Sequence, residues 1–225
     1  MPRHTKNLVL AILTATGASL AAQGASDKWD IGMKIRGGAT FGDLADDMNS
    51  AKFFGLGLAG SWSFGQGKAL VFDVAFLRIP GKDTLRPLPA NVVPSGSTDR
   101  RKNDLQGFSA RFGYRAPVAS TGWDWQAGIS LDKLQSRQEA AGHLTVGTVI
   151  VESIAATPTS SKVLPGAFLG MVKKVGEDFT VEFNAFSLGY SQVEWVPATY
   201  SGTAAAATSS NRRGFGLEIA VGFKF

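Results

Sequence analysis

The sequence predicts an all-β fold, an eight-stranded antiparallel up-and-down transmembrane β-barrel with short turns at one end and long loops at the other. Three observations carry that expectation. Apolar residues alternate with small or polar ones in eight successive stretches, as they must where one face of a strand meets lipid and the other a polar interior. The connections between those stretches alternate long and short. Rings gather beside the mature chain's ends and the short turns, where a membrane barrel carries an interfacial girdle.

Residues 1–22 read as a secretory leader. Arg3 and Lys6 supply the positive start, Leu8 to Ala15 the apolar centre, and Ser19-Leu20-Ala21 or Leu20-Ala21-Ala22 a small-residue cleavage site. The apolar run is shorter than the roughly 20 residues a spanning helix needs. Cleavage leaves residues 23–225 as a single barrel domain, exported from the cytoplasm, with any membrane residence left to strands.

The first strand is expected over 28–39, with Trp29, Ile31, Met33 and Ile35 alternating against Asp30, Gly32, Lys34 and Arg36. Residues 41–51 are polar, acidic and turn-rich. Alternation resumes over 52–64, where Phe54, Leu56, Leu58 and Trp62 oppose Gly55, Gly57, Ala59, Ser61 and Ser63; Gly65-Gln66-Gly67 then makes a hairpin turn. The third strand, 69–79, sets Leu70, Phe72, Val74 and Phe76 against Asp73. Residues 80–103 hold four prolines and the basic run Arg100-Arg101-Lys102, and read as an exposed loop because proline cannot donate to a ladder.

Strands follow over 105–115 and 123–134, joined by a short proline-containing turn. Residues 135–161 form a second long excursion whose 144–154 portion is β-prone. The weakest strand is 162–174, since Pro165 interrupts it and both faces carry apolar groups. After a tight turn at 175–178, strand 179–190 alternates as far as Phe186, where the apolar residues change face, hinting at a bulge or at departure from the bilayer. A last long loop, 191–211, leads into the closing strand. There Phe215, Leu217, Ile219, Val221, Phe223 and Phe225 share one face, and Gly216, Glu218, Ala220, Gly222 and Lys224 the other.

A soluble eight-stranded barrel of the lipocalin kind would turn its apolar residues inward around a ligand. Here the small and charged residues suit a crowded interior, while the rings and large aliphatics suit the circumference. Lys34, Arg36, Asp73, Arg111, Asp132, Glu182 and Glu218 are accordingly expected to form an interior charge network, because an eight-stranded barrel is only just wide enough for its own side chains and lone buried ions are costly.

No residue pattern points to catalysis. Cysteine is absent, which removes thiolate chemistry and Cys-bearing metal sites. His143 has Glu139 and Glu152 within reach in sequence but no serine two positions on, so a hydrolytic triad is not expected. No cofactor, metal or catalytic residue is assigned. Nucleic acid is excluded by export and by basic residues that lack interleaved stacking rings.

By its leader, alternating strands, loop asymmetry and the closing stretch ending in Phe225, the chain resembles the small Gram-negative outer-membrane β-barrel proteins, namely the OmpA-type transmembrane domain and the OmpX and OmpW-like proteins. The resemblance implies residence in the bacterial outer membrane, short turns on the periplasmic side and long extracellular loops. It also implies that Phe215, Leu217, Ile219, Val221, Phe223 and Phe225 form the signal read by the barrel-assembly machinery, with periplasmic chaperones as further partners during biogenesis. The expected function is a non-enzymatic structural or surface-interaction role. The alternative is a narrow porin or OmpW-like channel for small solutes, hydrophobic ones included, which a lateral gap near Pro165 would favour. Outer-membrane lipid and lipopolysaccharide are the expected partners, the latter through Arg100, Arg101, Lys102, Arg212 and Arg213.

Overall fold

In the computed structural model the described residues are 29–48, 50–82, 84–87, 98–143, 150–156, 162–193 and 209–225. The leader expected over 1–22 lies outside them. Ten strands form one sheet: β1 (Trp29–Phe41), β2 (Lys52–Gly65), β3 (Lys68–Ile79), β4 (Thr84–Pro87), β5 (Thr98–Val118), β6 (Trp123–His143), β7 (Ile150–Ala156), β8 (Leu164–Val175), β9 (Phe179–Val193) and β10 (Ser209–Lys224), with one helix, α1 (Asp43–Met48). Eight of the strands close a barrel in the order β1-β2-β3-β5-β6-β8-β9-β10. The seam is the antiparallel ladder from Gly32↔Lys224 to Phe41↔Phe215, so β10 leaves no unpaired edge against β1.

The strand faces follow from the alternation in the sequence. Ile35, Leu56, Ile129, Leu169, Phe215 and Ile219 are each half or more exposed, whereas Arg36, Asp132, Glu182 and Glu218 are at most 2% exposed. This is the inverse of a soluble protein, and it satisfies every strand only if the surroundings are hydrocarbon. No helix among the described residues is long and apolar enough to cross a membrane.

Residues 66–67, 119–122 and 176–178 turn the chain at the end of the barrel that also holds Trp29 and Phe225. The first turn needs Gly67 at a φ of 72°, a conformation that costs glycine nothing. Rings collect at this end. Trp29 stacks on Trp62 at 6.0 Å, and contacts continue through Phe64 and Tyr114 to Trp125. Elsewhere on the rim Trp123 meets Phe183, and Phe179 meets Phe223, which meets Phe225. Trp29, Trp62, Phe64, Tyr114, Trp123, Phe179, Phe223 and Phe225, the rings the sequence places beside the ends and short turns, are all in this girdle, joined by Trp125, Phe72 and Phe183.

At the opposite end the sequence reading needs correcting. Residues 98–103 are strand rather than loop, because β5 and β6 stay paired from Val118↔Trp123 out to Thr98↔His143. Each runs 21 residues, about twice the 9–11 that cross a bilayer. β4 pairs with β5 at Thr84↔Arg101 to Pro87↔Thr98, and β7 pairs with β6 between Gln138↔Ala156 and His143↔Ile150. Pro87 is tolerated because β4 is an edge strand. Residues 144–149, also read as β-prone, lie outside the described residues.

The change of face at Phe186 is not a bulge. The β9–β10 register runs unbroken through Ala185↔Leu217, Phe186↔Gly216 and Ser187↔Phe215. Phe186, Leu188 and Tyr190 instead turn into the barrel and are buried there. Pro165 likewise sits inside β8, paired with Leu131, and both faces of that strand are apolar because Phe168 and Val172 fill the interior while Leu169 and Met171 face outward.

Candidate functional site: a sealed barrel interior

The interior is built in tiers. Nearest the turns, Lys34 on β1 reaches Glu182 on β9 at 2.9 Å and Asp73 on β3 at 3.4 Å. Arg115 on β5 lies 3.4 Å from Glu182, and the Gln126 amide donates to Glu182 at 3.0 Å and to Asn184 at 2.8 Å. One tier further, Arg36 holds Asp73 at 2.6 Å, and Arg111 binds both oxygens of Glu218 at 2.7 and 3.0 Å. The Asn184 amide donates to Glu218 at 3.0 Å. Since β5 and β10 stand opposite one another in the eight-strand ring, the Arg111–Glu218 fork is a strut across the lumen. A bidentate guanidinium–carboxylate pair is the strongest geometry available to such a strut.

All seven residues expected in the network are buried, and Arg115 adjoins them. The interior holds four cations (Lys34, Arg36, Arg111, Arg115) and four carboxylates (Asp73, Asp132, Glu182, Glu218) among the described side chains. That balance is what makes burial tolerable, since an unpaired ion in a closed barrel would carry its full desolvation cost. Asp132 differs from the other acids. It accepts from the Ser109 hydroxyl at 2.6 Å, the Ser130 hydroxyl at 2.9 Å and the Gly189 backbone N–H at 3.1 Å.

Phe168 lies inside the wall beside this network, with the Arg111 guanidinium 5.4 Å from its ring centre. Glycine makes the room. A Cβ on Gly128 would come within 2.2 Å of the Phe112 carbonyl oxygen and 2.7 Å of the Phe168 ring, and one on Gly113 within 2.5 Å of the Ala127 carbonyl oxygen and 2.8 Å of that ring, so Phe168→Leu relieves only the ring's share of the clash. Gly128→Val should therefore overpack the site and lower stability by about 1–3 kcal/mol. Denaturant titration of the folded gel band measures this; recovery in the Gly128→Val, Phe168→Leu double variant separates overpacking from a backbone effect.

The tier beyond was not foreseen in the sequence. Phe53, Leu77, Ile79, Leu105, Leu134, Phe186 and Leu188 close the lumen with apolar side chains. The void among them is about 10 Å³, at most the room of one water. Above it sits α1, whose Leu44 and Met48 are fully buried. Gly42, at a φ of 62°, starts the helix, and acids at Asp43 and Asp46 suit its first turn. Asp47 anchors it, accepting from the Tyr190 hydroxyl at 2.7 Å and from Arg212 at 2.9 and 3.0 Å. The available signal was Leu44 and Met48 four residues apart, within an acidic stretch read only as a turn.

Toward the turns the interior is open. A cavity of about 110 Å³ is lined by Asp30, Lys34, Ser61, Asp73, Arg115 and Glu182 among others, and Lys224 meets Asp30 at its mouth. The barrel is thus a blind vestibule, stopped first by ion pairs and then by an apolar tier.

Of the remaining sequence-assigned residues, Arg212 is bound to Asp47, Arg213 is exposed on β10, and Lys102 lies 3.6 Å from Asp104. Arg100 and Arg101 lie where β5 pairs with β4 and β6; their side chains are outside the described residues, as are those of Glu139, His143 and Glu152. Phe215, Leu217, Ile219, Val221, Phe223 and Phe225 all face outward and are 44–59% exposed. Among the described residues no group of three His, Asp or Glu is placed to hold a metal.

No protein-family model and no curated protein matches the chain. Among solved structures it is similar to Neisserial surface protein A, with 16% identity, a TM-score of 0.45, and 88% of this chain and 97% of that chain covered. It is also similar to Ail, the attachment invasion locus protein of Yersinia pestis, at 10% identity and a TM-score of 0.42 over 88% and 98% of the two chains. A major outer membrane protein from Thermus thermophilus gives 8% identity and a TM-score of 0.48 over 88% and 99%. The environment follows from the molecule's own surfaces, a closed antiparallel ladder with an apolar circumference, a ring girdle and a buried, charge-balanced interior. The chain is an eight-stranded transmembrane β-barrel of the outer-membrane type.

Proposed function

We propose that the chain resides in the bacterial outer membrane as a non-enzymatic barrel with a structural or surface-interaction role, presenting a β-sheet outside the bilayer. The observation that carries this reading is the β5–β6 ladder, which continues past the barrel to Thr98↔His143 and gains β4 and β7 as flanking strands. A rigid sheet projecting from a sealed anchor suits contact with another surface, whereas transport needs an open lumen.

The sealed lumen gives a direct test. The purified barrel in planar bilayers should show no stable unitary conductance; reproducible current steps would remove the sealed-anchor reading. Surface expression of the intact chain should raise cell attachment, and replacing residues 84–101 and 138–156 by short turns should leave a heat-modifiable, outer-membrane-located barrel but abolish that gain. Attachment that survives the truncation would overturn the surface-interaction role.

A second reading, a narrow passage for small or hydrophobic solutes, has one observation in its favour. β8 pairs with β6 as far as Leu164, but with β9 only as far as Ala167. Against it, Asp132 accepts the Gly189 N–H across the shortened ladder, the Ala167 N–H donates to the Ser187 hydroxyl at 3.2 Å, and β6 touches β9 directly at Gln135↔Ser191.

A further inference from the structure

The interior charges balance over the whole lumen but not along it. In the two polar tiers the cations are Lys34, Arg36, Arg111 and Arg115, and the carboxylates are Asp73, Glu182 and Glu218. Asp132, the fourth carboxylate, stands apart on the Ser109 and Ser130 hydroxyls and the Gly189 N–H. The tiers therefore hold one positive charge in excess.

The excess falls on Arg115. Lys34, Arg36 and Arg111 each have a carboxylate oxygen within 2.9 Å, whereas Arg115 comes no nearer than 3.4 Å to Glu182. That acid already accepts from Lys34 and Gln126. The Arg115 Nη2 also donates to Gln126 at 3.0 Å, but its Nε is buried without a partner and carries that donor's desolvation cost unrelieved. Arg36 leaves two nitrogens unpaired as well, yet its side chain is fully buried and does not line the open hollow. Arg115 does line it, with 12% of its side chain exposed.

The sequence leaves room beside it. Small inward residues on three adjoining strands, Gly222 on β10, Gly32 on β1, and Ala59 and Ser61 on β2, bound the cavity of about 110 Å³. The charged residues lining its mouth have the opposite balance, with Lys174 and Lys224 against Asp30, Glu177 and Asp178. At the same end Lys173 turns outward over the Trp123 ring, and Lys68 and Asp124, of opposite sign, lie outside the lining. The floor of the hollow is thus positive and its mouth negative. Asp30 precedes Lys34 by four residues on β1, about 13 Å at the rise of a strand.

We propose that the hollow binds a short free peptide as its zwitterion, the carboxylate on Arg115 and the ammonium among the carboxylates of the mouth. A simple anion meets repulsion at the mouth and a simple cation at the floor; a molecule with both charges satisfies the two ends at once. Two residues span about 7 Å, and the side chains at either end cover the rest. The cavity is smaller than the roughly 150 Å³ that takes a benzene, so it holds the carboxyl end and the open mouth holds the remainder. A guanidinium suits that end because its planar N–H groups match a carboxylate. The inference rests on the outer-membrane reading above for the compartment, the periplasm, that supplies the peptide.

The test uses the full barrel, isotope-labelled and refolded into phosphatidylcholine nanodiscs. These expose both rims, so binding is measured whatever membrane the chain occupies, and a failure of the outer-membrane reading would move the compartment but leave the site. Alanylalanine, its N-acetyl form and its C-terminal amide are titrated separately while NMR follows the backbone amides of Gly32 and Gly222 and the Arg115 Nε–H. The zwitterion should shift all these resonances saturably and bind roughly tenfold tighter than either blocked form, the worth of one charge-assisted hydrogen bond. Arg115→Met should weaken it by a similar factor, and the Glu177→Gln, Asp178→Asn double variant should bring it to the affinity of the N-acetyl form. Equal affinities for the three peptides would overturn the proposal, as would saturation that leaves the Arg115 Nε–H unmoved. The absence of any saturable shift would mean that the hollow holds water alone and would overturn it too. Heat-modifiable mobility of each sample reports folding; if a variant does not fold, the three-peptide comparison on the unaltered chain still decides.

Discussion

Replacing Glu218 with Gln should destabilise the barrel by about 3–5 kcal/mol, the cost of breaking a buried ion pair from one side. Glu218 is 2% exposed and stands at the centre of the polar tiers, held bidentately by Arg111, 3.7 Å from an Arg36 nitrogen and hydrogen-bonded to Asn184. The amide keeps the shape and one acceptor but removes the charge. Arg111 then loses the carboxylate it grips with both nitrogens, and among the described side chains Arg36 keeps Asp73 as its ion-pair partner. The expense comes from stranding the guanidinium of Arg111, since the net worth of a buried pair against an apolar replacement is small.

That distinction gives the experiment its control. In Glu218→Gln the denaturant midpoint of the folded, heat-modifiable band in lipid vesicles should fall. Adding Arg111→Met, which removes the stranded charge and keeps contact with Phe168 and Phe186, should restore most of the loss. A single-variant effect below about 1 kcal/mol would indicate a network bathed in water, and the sealed-lumen reading would fall with it.

The part of this fold legible in the sequence is the part governed by a two-residue period. In the membrane span each strand has one lipid face and one lumen face, so Ile35 beside Arg36, Phe72 beside Asp73 and Ile219 beside Glu218 declare inside and outside directly. The seven interior charges could be named for the same reason, because an ionised side chain on a spanning strand has nowhere else to go. Their partners could not. Arg111 meets Glu218 across 107 positions, a pairing fixed by strand order and tilt rather than by any local pattern.

The period stops being informative where both faces are apolar. Phe53 and Phe54, Leu77 beside Phe76, and Phe186 with Leu188 look like faults in the alternation; each is a strand leaving the polar tiers for the apolar stopper. The extension of β5 and β6 was hidden for a different reason. Prolines in 80–94 suggested a loop through residue 103, but they precede the strand, and the basic run Arg100-Arg101-Lys102 is paired on both sides at Arg100 and Arg101. Backbone pairing between segments far apart in the chain leaves little trace in composition.

Ile219→Arg should cost about 2–4 kcal/mol in a bilayer, the depth-dependent penalty for a guanidinium on the lipid face of a barrel. Ile219 lies midway between Phe215 and Phe223 on β10, flanked by Gly37 on β1 and Phe183 on β9, and is 55% exposed. In a soluble protein a residue so exposed tolerates arginine within about 0.5 kcal/mol, so the environment alone sets the size of the effect. Val175, 50% exposed where β8 reaches its turn, supplies the comparison. Val175→Arg should cost about 0–1 kcal/mol, because the side chain reaches the headgroups. Unfolding both variants in lipid vesicles measures the gradient. Equal costs at the two depths would mean that the apolar circumference does not face hydrocarbon. A steep fall from Ile219 to Val175 would place the membrane on the wall independently of any likeness to other barrels.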